Sequence, residues 1–534
     1  MSDIRTVELL FLLLLSFIVA FGQLARKIGI PYPIVMILGG LLLGLVPGLP
    51  RFTLDPDLIF LVVLPPLIYA SAWATSWRDF RLNLWTILFL AFGLVGFTVL
   101  GVALVGPRVL SGFDWRLALV LGAVVAPTDA IAASSIARRI GLPNRIVDVL
   151  EGESLINDAT GLLALQFAIA IVVSRTVPTL SEGFLTLAWL VAGGVSLGLL
   201  VGWAVYLLER VIDDGPIEIT LSILVPYAAY FIADALHSSG VLAVVASGLF
   251  LTRRSNQMFS PNVSIQIWYF WESLTFVLNG LVFLLIGLQL PVILTSIRGY
   301  KLSELVLDGA VFSLILILLR LLWVFPGSWL ANFARCRFHH TSEELPNPRE
   351  VFVVGWTGMR GVLSLAAALS LPAALHDGSP FPQRDFIVFL TFAVILVTLV
   401  LQGLTLTPLV RALHLEGPAC PNCEEDEARR IIIEAAVSHL ESIKEERPEV
   451  SDHIVDDIIG HYRHRLASLD PTEADSEHVS HHFSFLEISR EAARIERDTA
   501  VRLRDEGRIN DQVLRRIQRE LDLIESRFIQ VDEE

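Results

Sequence analysis

The amino-acid sequence predicts an all-α polytopic membrane protein with about thirteen transmembrane helices, followed by a small soluble helical tail. Of its 534 residues, 54% are hydrophobic and only 18% are charged, and the mean hydropathy is +0.63. An ordinary soluble protein carries about 25% charged residues. Apolar stretches close to the roughly 20 residues that a helix needs to cross a bilayer recur along most of the chain. Because a backbone in lipid must satisfy its own hydrogen bonds, we expect these stretches to be helices.

The candidate spans are separated by charged or Pro- and Gly-rich breaks. The second and the ninth are short for a full crossing, and Gly and Pro inside others indicate broken helices. In chain order the spans cover 7–25, 32–47, 57–76, 83–107, 117–137, 147–174, 184–208, 217–236, 240–252, 266–291, 305–333, 350–374 and 385–409.

The charges divide the chain into two regions. Residues 417–534 hold 16 Lys and Arg against 29 Asp and Glu, so that −13 of the total net charge of −15 belongs to them, whereas residues 1–416 are nearly neutral. The sequence therefore predicts a transmembrane domain over 1–416 and a cytosolic acidic helical domain over 417–534, with helical composition at 424–447 and 484–529. This composition excludes a soluble enzyme or a disordered scaffold for the body, and the negative tail argues against a nucleic-acid partner.

The loops also predict an orientation, because Lys and Arg accumulate on the cytoplasmic side of a membrane. The connections after the odd-numbered spans, such as the one containing Arg138, Arg139 and Arg145, carry more Lys and Arg than the others. We therefore expect the N-terminus outside and the tail in the cytoplasm.

The span at 117–137 contains a polar interruption. Pro127 removes a backbone donor in its middle, and Thr128 and Asp129 follow directly. Freed carbonyls, a hydroxyl and a carboxylate are oxygen ligands suited to a small cation, and broken helices carry such sites in transporters. The alternative is a proline kink with Asp129 facing an internal cavity, although a kink does not require the acid.

The next span begins with a second group of polar residues: Glu151, Glu153, Ser154, Asn157 and Asp158. On a helix, Ser154 shares a face with Asp158, and Glu153 shares one with Asn157. The glutamates fit an acidic first turn stabilised by the helix dipole. Asp158 lies a full turn deeper, where a charged group is costly unless it is paired or hydrated, so we predict that it binds a cation or a proton.

Two arginines inside apolar spans supply counter-charge. Arg360 stands among glycines that allow an irregular backbone, and we expect it to form a buried ion pair with Glu153. For Arg320 we expect either a structural pair or a side chain that extends to the membrane surface.

These residues resemble those of the first monovalent cation:proton antiporter family, the sodium/proton exchangers, and in particular its bacterial branch with a cytosolic C-terminal helical extension. The similar segments occur in order through the whole membrane body. They are LPPLIY at 64–69, APTDA at 126–130, LEGESLINDAT at 150–160, GVLAVVASGL at 240–249, FWESLTFVLNGLVFLLIG at 270–287, GMRG at 358–361 and VLQGLTLTPLV at 400–410.

The resemblance implies roles for individual residues. Asp158 would be the carboxylate that binds the transported cation or a proton in turn. Residues that complete the cation site would be Thr128, Asp129 and Ser154, and residues that support it would be Asn157 and the ion pair of Glu153 with Arg360. The chain departs from the family at Ala70, where relatives usually carry an acid near the cation path, and Glu8 or Glu272 would be the substitutes.

The resemblance also implies a fold and an activity. The fold would have inverted repeats with broken helices, an ion-binding core that moves against a dimerisation domain, and a homodimer in the bacterial plasma membrane. The activity would be exchange of Na⁺, or of Li⁺ or K⁺, for H⁺ without a cofactor. An Asn–Asp pair such as Asn157 and Asp158 is similar to that of electroneutral exchangers. The alternatives are K⁺/H⁺ exchange and, in a different class, an ion channel or a membrane sensor; we expect no enzyme activity.

Cys420 and Cys423 form a CxxC at the start of the tail. Two thiols are half of a zinc site, and no second CxxC completes the usual spacing. A structural role and a zinc or redox site both stay open for this pair.

Overall fold

The fold is helical wherever the computed structural model describes the chain. The described residues are 2–46, 56–174, 180–212, 214–297, 301–339, 347–375, 379–415, 423–446, 452–467 and 477–506, with the short pieces 508, 513–514, 517–518 and 521–522. Over these residues the only strand-like pairing is one bridge between Ala374 and Pro380. The predicted all-α class is therefore confirmed. The chain divides into two compact units, Met1–Gly417 and Pro418–Glu534.

The first unit contains nineteen described α-helices and three π-helical segments. The helices are α1 Ser2–Ile28, α2 Tyr32–Gly44, α3 Leu64–Ala74, α4 Trp77–Leu82, α5 Leu84–Leu88, α6 Val95–Val109, α7 Trp115–Val125, α8 Ala130–Arg139, α9 Asn144–Ser174, α10 Leu180–Glu209, α11 Gly215–Ala235, α12 Gly240–Met258, α13 Pro261–Leu288, α14 Leu290–Ser296, α15 Leu302–His339, α16 Pro348–Trp356, α17 Val362–Leu369, α18 Arg384–Val397 and α19 Gly403–Leu413, and the π-helical segments are Leu58–Val63, Phe89–Leu94 and Thr398–Gln402.

Among the described residues, nine helical segments are long and apolar enough to cross a membrane. Each coincides with one of the predicted spans. The predicted spans at 32–47 and 57–76 contain shorter apolar helices, Tyr32–Gly44 and Leu58–Ala74. The span at 240–252 lies within α12, and the span at 350–374 is divided between α16 and α17.

Two interrupted helices meet inside the first unit. The break between α7 and α8 covers 126–129, and the break between α16 and α17 follows Trp356. The backbone N–H of Asp129 in the first break donates to the carbonyl of Met359 in the second, at 2.8 Å. Backbone groups that each break removes from its own helix therefore find a partner in the other, as buried backbone in a membrane requires.

In the second unit three helices are described: α20 Cys423–Glu446, α21 Asp452–Ala467 and α22 Glu477–Asp505. The first and the last coincide with predicted helical segments, although the part of 484–529 beyond α22 lies mostly outside the described residues. Helix α21 was not predicted from the sequence. An ion pair joins Arg463 of α21 to Glu441 of α20 at 2.8 Å. Both side chains are exposed, so the pair adds little stability.

Candidate functional site

The site is built around the interruption between α7 and α8. Pro127 cannot donate a hydrogen bond, and the chain leaves the helical conformation after Val125. Asp129 then begins α8 as its N-cap, since its Oδ1 accepts from the N–H of Ile131 at 2.8 Å. One carboxylate oxygen of Asp129 is thus held by the backbone. This contact fixes the side chain in place.

The second interruption reaches the site because two of its residues are glycines. A Cβ atom on Gly361 would collide with the carboxylate of Asp129. A Cβ atom on Gly358 would collide with the side chain of Arg320. Both positions therefore require glycine, because the side chains of Asp129 and Arg320 pack directly against the backbone there.

Helix α9 is joined to the first interruption by a chain of side-chain hydrogen bonds. Asn157 Nδ2 donates to Thr128 Oγ1 at 2.6 Å, and Thr128 Oγ1 donates to Glu153 Oε1 at 3.0 Å. Ser154 Oγ donates to the carbonyl of Thr128 at 2.9 Å. The broken segment is thereby held against α9, one turn from Asp158.

Asp129 and Asp158 line one cavity together with Thr128 and Ser154. The cavity has a volume of about 70 Å³, whereas one water molecule needs about 10–15 Å³. It therefore has room for a cation and several waters. All four residues predicted to bind the cation come together here. The hydroxyl of Thr128 donates to Glu153 and accepts from Asn157. Its carbonyl accepts one bond from Ser154, which leaves the second lone pair of the carbonyl for a cation.

The buried ion pair differs from the prediction: Glu153 pairs with Arg320, not with Arg360. Arg320 Nη1 lies 2.5 Å from Glu153 Oε1, and Nη2 donates to Oε2 at 2.8 Å. The guanidinium also donates to the carbonyls of Val354 at 3.0 Å and Gly355 at 3.2 Å. Both charged side chains are only 1% exposed. Arg320 reaches Glu153 because it passes over Gly358, a contact that sequence spacing could not reveal.

Arg360 holds the second interruption instead. Its Nη1 donates to the carbonyl of Gly358 at 2.8 Å, and its backbone N–H donates to Thr398 Oγ1 at 3.1 Å. Thr398 begins a π-helical segment of the neighbouring span. No ion pair of Arg360 occurs among the described residues. Its role is therefore to fix the irregular backbone beside Gly361.

Other candidates lie away from the cavity. Glu151 pairs with the exposed Arg138 at 2.8 Å. The expectation of an acidic first turn is wrong, because helix α9 begins at Asn144 and has no acid in its first turn. Glu272 is exposed, and neither it nor Ala70 lines the cavity. The side chain of Glu8 lies outside the described residues, so its proposed substitution stays a prediction.

The cysteine pair cannot be placed. Cys420 lies outside the described residues, as does the side chain of Cys423. Among the described residues, no group of three or more His, Cys, Asp or Glu could hold a metal ion. The zinc or redox site remains a prediction.

Sequence reasoning missed two polar residues that line the cavity. Asn279 of α13 and Ser364 of α17 both line it, and each is 1% exposed. The signal was present, since Asn279 is a polar residue in the apolar run FVLNGLVFLL and Ser364 stands in GVLSLAA.

Comparisons with known proteins agree with this geometry. A family model described as the transmembrane sodium/hydrogen exchanger matches residues 12–412. An uncharacterised Na⁺/H⁺ exchanger of Mycobacterium tuberculosis is 32% identical over 529 residues, which are 97% of this chain and 95% of the relative. A sodium, potassium, lithium and rubidium/H⁺ antiporter of Bacillus pumilus is 32% identical over 482 residues, covering 87% of this chain and 70% of the relative.

A solved structure shares the fold. The sodium proton antiporter MjNhaP1 of Methanocaldococcus jannaschii, solved at pH 8, matches with a TM-score of 0.60 at 20% identity and covers 78% of this chain and 100% of its own. At this identity the likeness concerns the fold alone. The family match over residues 12–412, together with a relative that is 32% identical over 95% of its own length, shows that this chain belongs to the sodium/hydrogen exchanger family.

Proposed function

We propose that this member of the family exchanges Na⁺ for H⁺, with Asp158 binding either ion but never both at once. The observation that carries the proposal is the position of Asp158. Its carboxylate lines the cavity beside Asp129, where two interrupted helices meet. Interrupted helices that face a cavity at membrane depth are the places where transporters hold their ions.

Competition for Asp158 provides the coupling. A charged carboxylate inside the protein is costly unless a cation or a proton neutralises it. The loaded core therefore crosses between its two orientations as a neutral unit, and the unloaded core does not. Exchange of one monovalent cation for one proton at this single carboxylate moves no net charge, so the proposed cycle is electroneutral. Glu153 takes no part in it, because Arg320 already compensates its charge.

The choice of cation is a separate part of the proposal. The Bacillus pumilus relative is named for four cations, including K⁺, so K⁺/H⁺ exchange is the second candidate. Measuring proton exchange in proteoliposomes with each cation in turn, at several pH values, distinguishes Na⁺/H⁺ exchange from K⁺/H⁺ exchange. A channel would conduct without saturation and need no proton, so saturable, electrically silent exchange excludes it.

The oligomeric state and the orientation in the membrane are further parts of the proposal. We infer a homodimer in the bacterial plasma membrane from the family resemblance. We also infer that the N-terminus lies outside and the acidic tail in the cytoplasm, because the loops predicted to be cytoplasmic hold more Lys and Arg. The tail has no assigned partner. Cysteine accessibility from each side of the membrane tests the orientation.

The experiment for Asp158 uses everted membrane vesicles with an established pH gradient. In the wild type, added Na⁺ dissipates the gradient. The variant Asp158→Asn keeps the shape of the side chain but cannot accept the proton, so it should fold normally and leave the gradient intact. Glu151→Gln is the matched control on the same helix, and it should behave as the wild type. Dissipation by Na⁺ in Asp158→Asn vesicles would show that another group carries the exchange.

A further inference from the structure

Two buried polar side chains line the same cavity as Asp158 and have no hydrogen-bond partner in the part of the protein that the structure describes. They are Asn279 of α13 and Ser364 of α17. Over the described residues, neither the amide nitrogen nor the amide oxygen of Asn279 has a partner, and neither does Ser364 Oγ. A buried polar group normally has at least one partner, so each exception calls for an explanation.

The hydroxyl of Ser364 differs from other buried hydroxyls of the helices. Those of Ser247, Ser313 and Thr391 donate to a backbone carbonyl three or four residues earlier, at 2.9, 2.7 and 2.8 Å. Such a bond is the ordinary way for a helical serine to satisfy its hydroxyl. Ser364 has not taken it. Its oxygen is therefore left without a hydrogen-bond partner inside the described part of the protein.

Asn279 has a neighbouring polar group, and their contact falls short of hydrogen-bond geometry. The phenol of Tyr32 lies beside the amide, and its ring packs on Phe276 of the same helix, with ring centroids 5.6 Å apart. Neither amide atom makes a hydrogen bond of acceptable geometry with it. A purely structural asparagine would be expected to close that bond.

We propose that the side-chain oxygens of Asn279 and Ser364 bind the transported cation in the cavity that they line together with Asp158. The inference rests on the proposed function, because it concerns the same cavity. Amide and hydroxyl oxygens are ligands for hard cations. They are also uncharged, so they strengthen cation binding without adding a group that accepts the exchanged proton. The two residues therefore set cation affinity and selectivity, while Asp158 alone carries the competition.

This division of roles predicts a particular kinetic pattern. Removing a ligand that contributes only to cation binding raises KM and leaves the maximal rate unchanged. We expect Asn279→Leu and Ser364→Ala each to raise the apparent KM for Na⁺ in proteoliposomes by about tenfold. A tenfold loss of affinity corresponds to the loss of one interaction about as strong as a hydrogen bond. The maximal rate and its pH dependence at saturating Na⁺ should stay as in the wild type. The ratio of KM values for Li⁺, Na⁺ and K⁺ should also change.

Two controls separate this from a structural role. Tyr32→Phe tests whether Asn279 only serves Tyr32, and we expect an unchanged KM. Ser313→Ala removes a buried hydroxyl that is bonded to the backbone, and it too should leave KM unchanged. A KM increase in Tyr32→Phe equal to that in Asn279→Leu would overturn the assignment of Asn279.

Thermal unfolding of the purified protein gives a second measurement that does not require transport. Replacing an unsatisfied buried polar group with an apolar one of similar size does not destabilise a protein. Without Na⁺, both variants should therefore melt no lower than the wild type, and the stabilisation by added Na⁺ should require a higher concentration. A lower Tm without Na⁺, or an unchanged Na⁺ midpoint, refutes the proposal. Activity in Asp158→Asn would refute the proposed function instead, whatever the two variants do.

Discussion

The most direct prediction concerns the buried pair of Arg320 and Glu153. In the variant Arg320→Met, a side chain of similar length remains, but the carboxylate of Glu153 loses both of its guanidinium bonds. Its remaining described partner is the hydroxyl of Thr128. We therefore expect a strong loss of stability, because an uncompensated buried charge is left behind.

The size of the loss follows from the burial. Breaking a buried ion pair by removing one partner costs about 3–5 kcal/mol, and a pair that is only 1% exposed on both sides belongs to that class. A folded unit of this size unfolds with an entropy of about 0.9 kcal/mol/K, so the expected fall in Tm is about 3–6 °C. The double variant Arg320→Met with Glu153→Gln removes the stranded charge, and it should recover most of that fall.

The assay is thermal unfolding of the purified protein in detergent, together with folded yield. Arg360→Met is the matched comparison, since Arg360 is as deeply buried as Arg320 but is bonded to the carbonyl of Gly358 and not to Glu153. It should lower Tm by less than Arg320→Met does. An equal or larger fall in Arg360→Met, or no recovery in the double variant, would show that the pairing deduced from these contacts is wrong.

Three further predictions follow from the same site. Gly361→Ala places a methyl group against the carboxylate of Asp129 and should abolish exchange, whereas Gly96→Ala, which meets no atom within 4 Å, should not; equal transport by the two in vesicles would contradict the close approach. Thr128→Val removes the hydroxyl that Asn157 bonds at 2.6 Å, and it should cost about 1–3 kcal/mol through the amide left unsatisfied, measured as a lower Tm. Competition between Na⁺ and H⁺ at one carboxylate predicts that the apparent KM for Na⁺ rises by about tenfold for each unit by which the pH falls in the acidic range, and that it is constant at higher pH. A KM that does not vary with pH in proteoliposomes would argue against a shared site.

Much of the fold follows from local properties of the sequence. Apolar stretches of the right length give helices, because the lipid leaves the backbone no other partner. The break at Pro127 is equally local, since a proline cannot donate a hydrogen bond wherever it stands. The cation-site residues could be proposed for a similar reason. Asp129 and Asp158 are acids in spans that are otherwise apolar, where an unpaired charge is costly.

The partners across the site depend on tertiary structure. The sequence placed both Arg320 and Arg360 inside apolar spans and assigned Glu153 to Arg360, but which arginine reaches Glu153 depends on how α15 passes the glycines of the second interruption. Asn279 and Ser364 are separated from Asp158 by more than a hundred residues, and no local pattern places them on the same cavity.

The sequence by itself thus determined the class of protein, the spans, the first interruption and the acids that face it. The tertiary structure decided which arginine pairs with Glu153, how the two breaks meet and which remote polar residues line the cavity with Asp158. The physical reason is that hydropathy and proline act within one helix, whereas charge pairing and cavity lining depend on distances between helices that are remote in the chain.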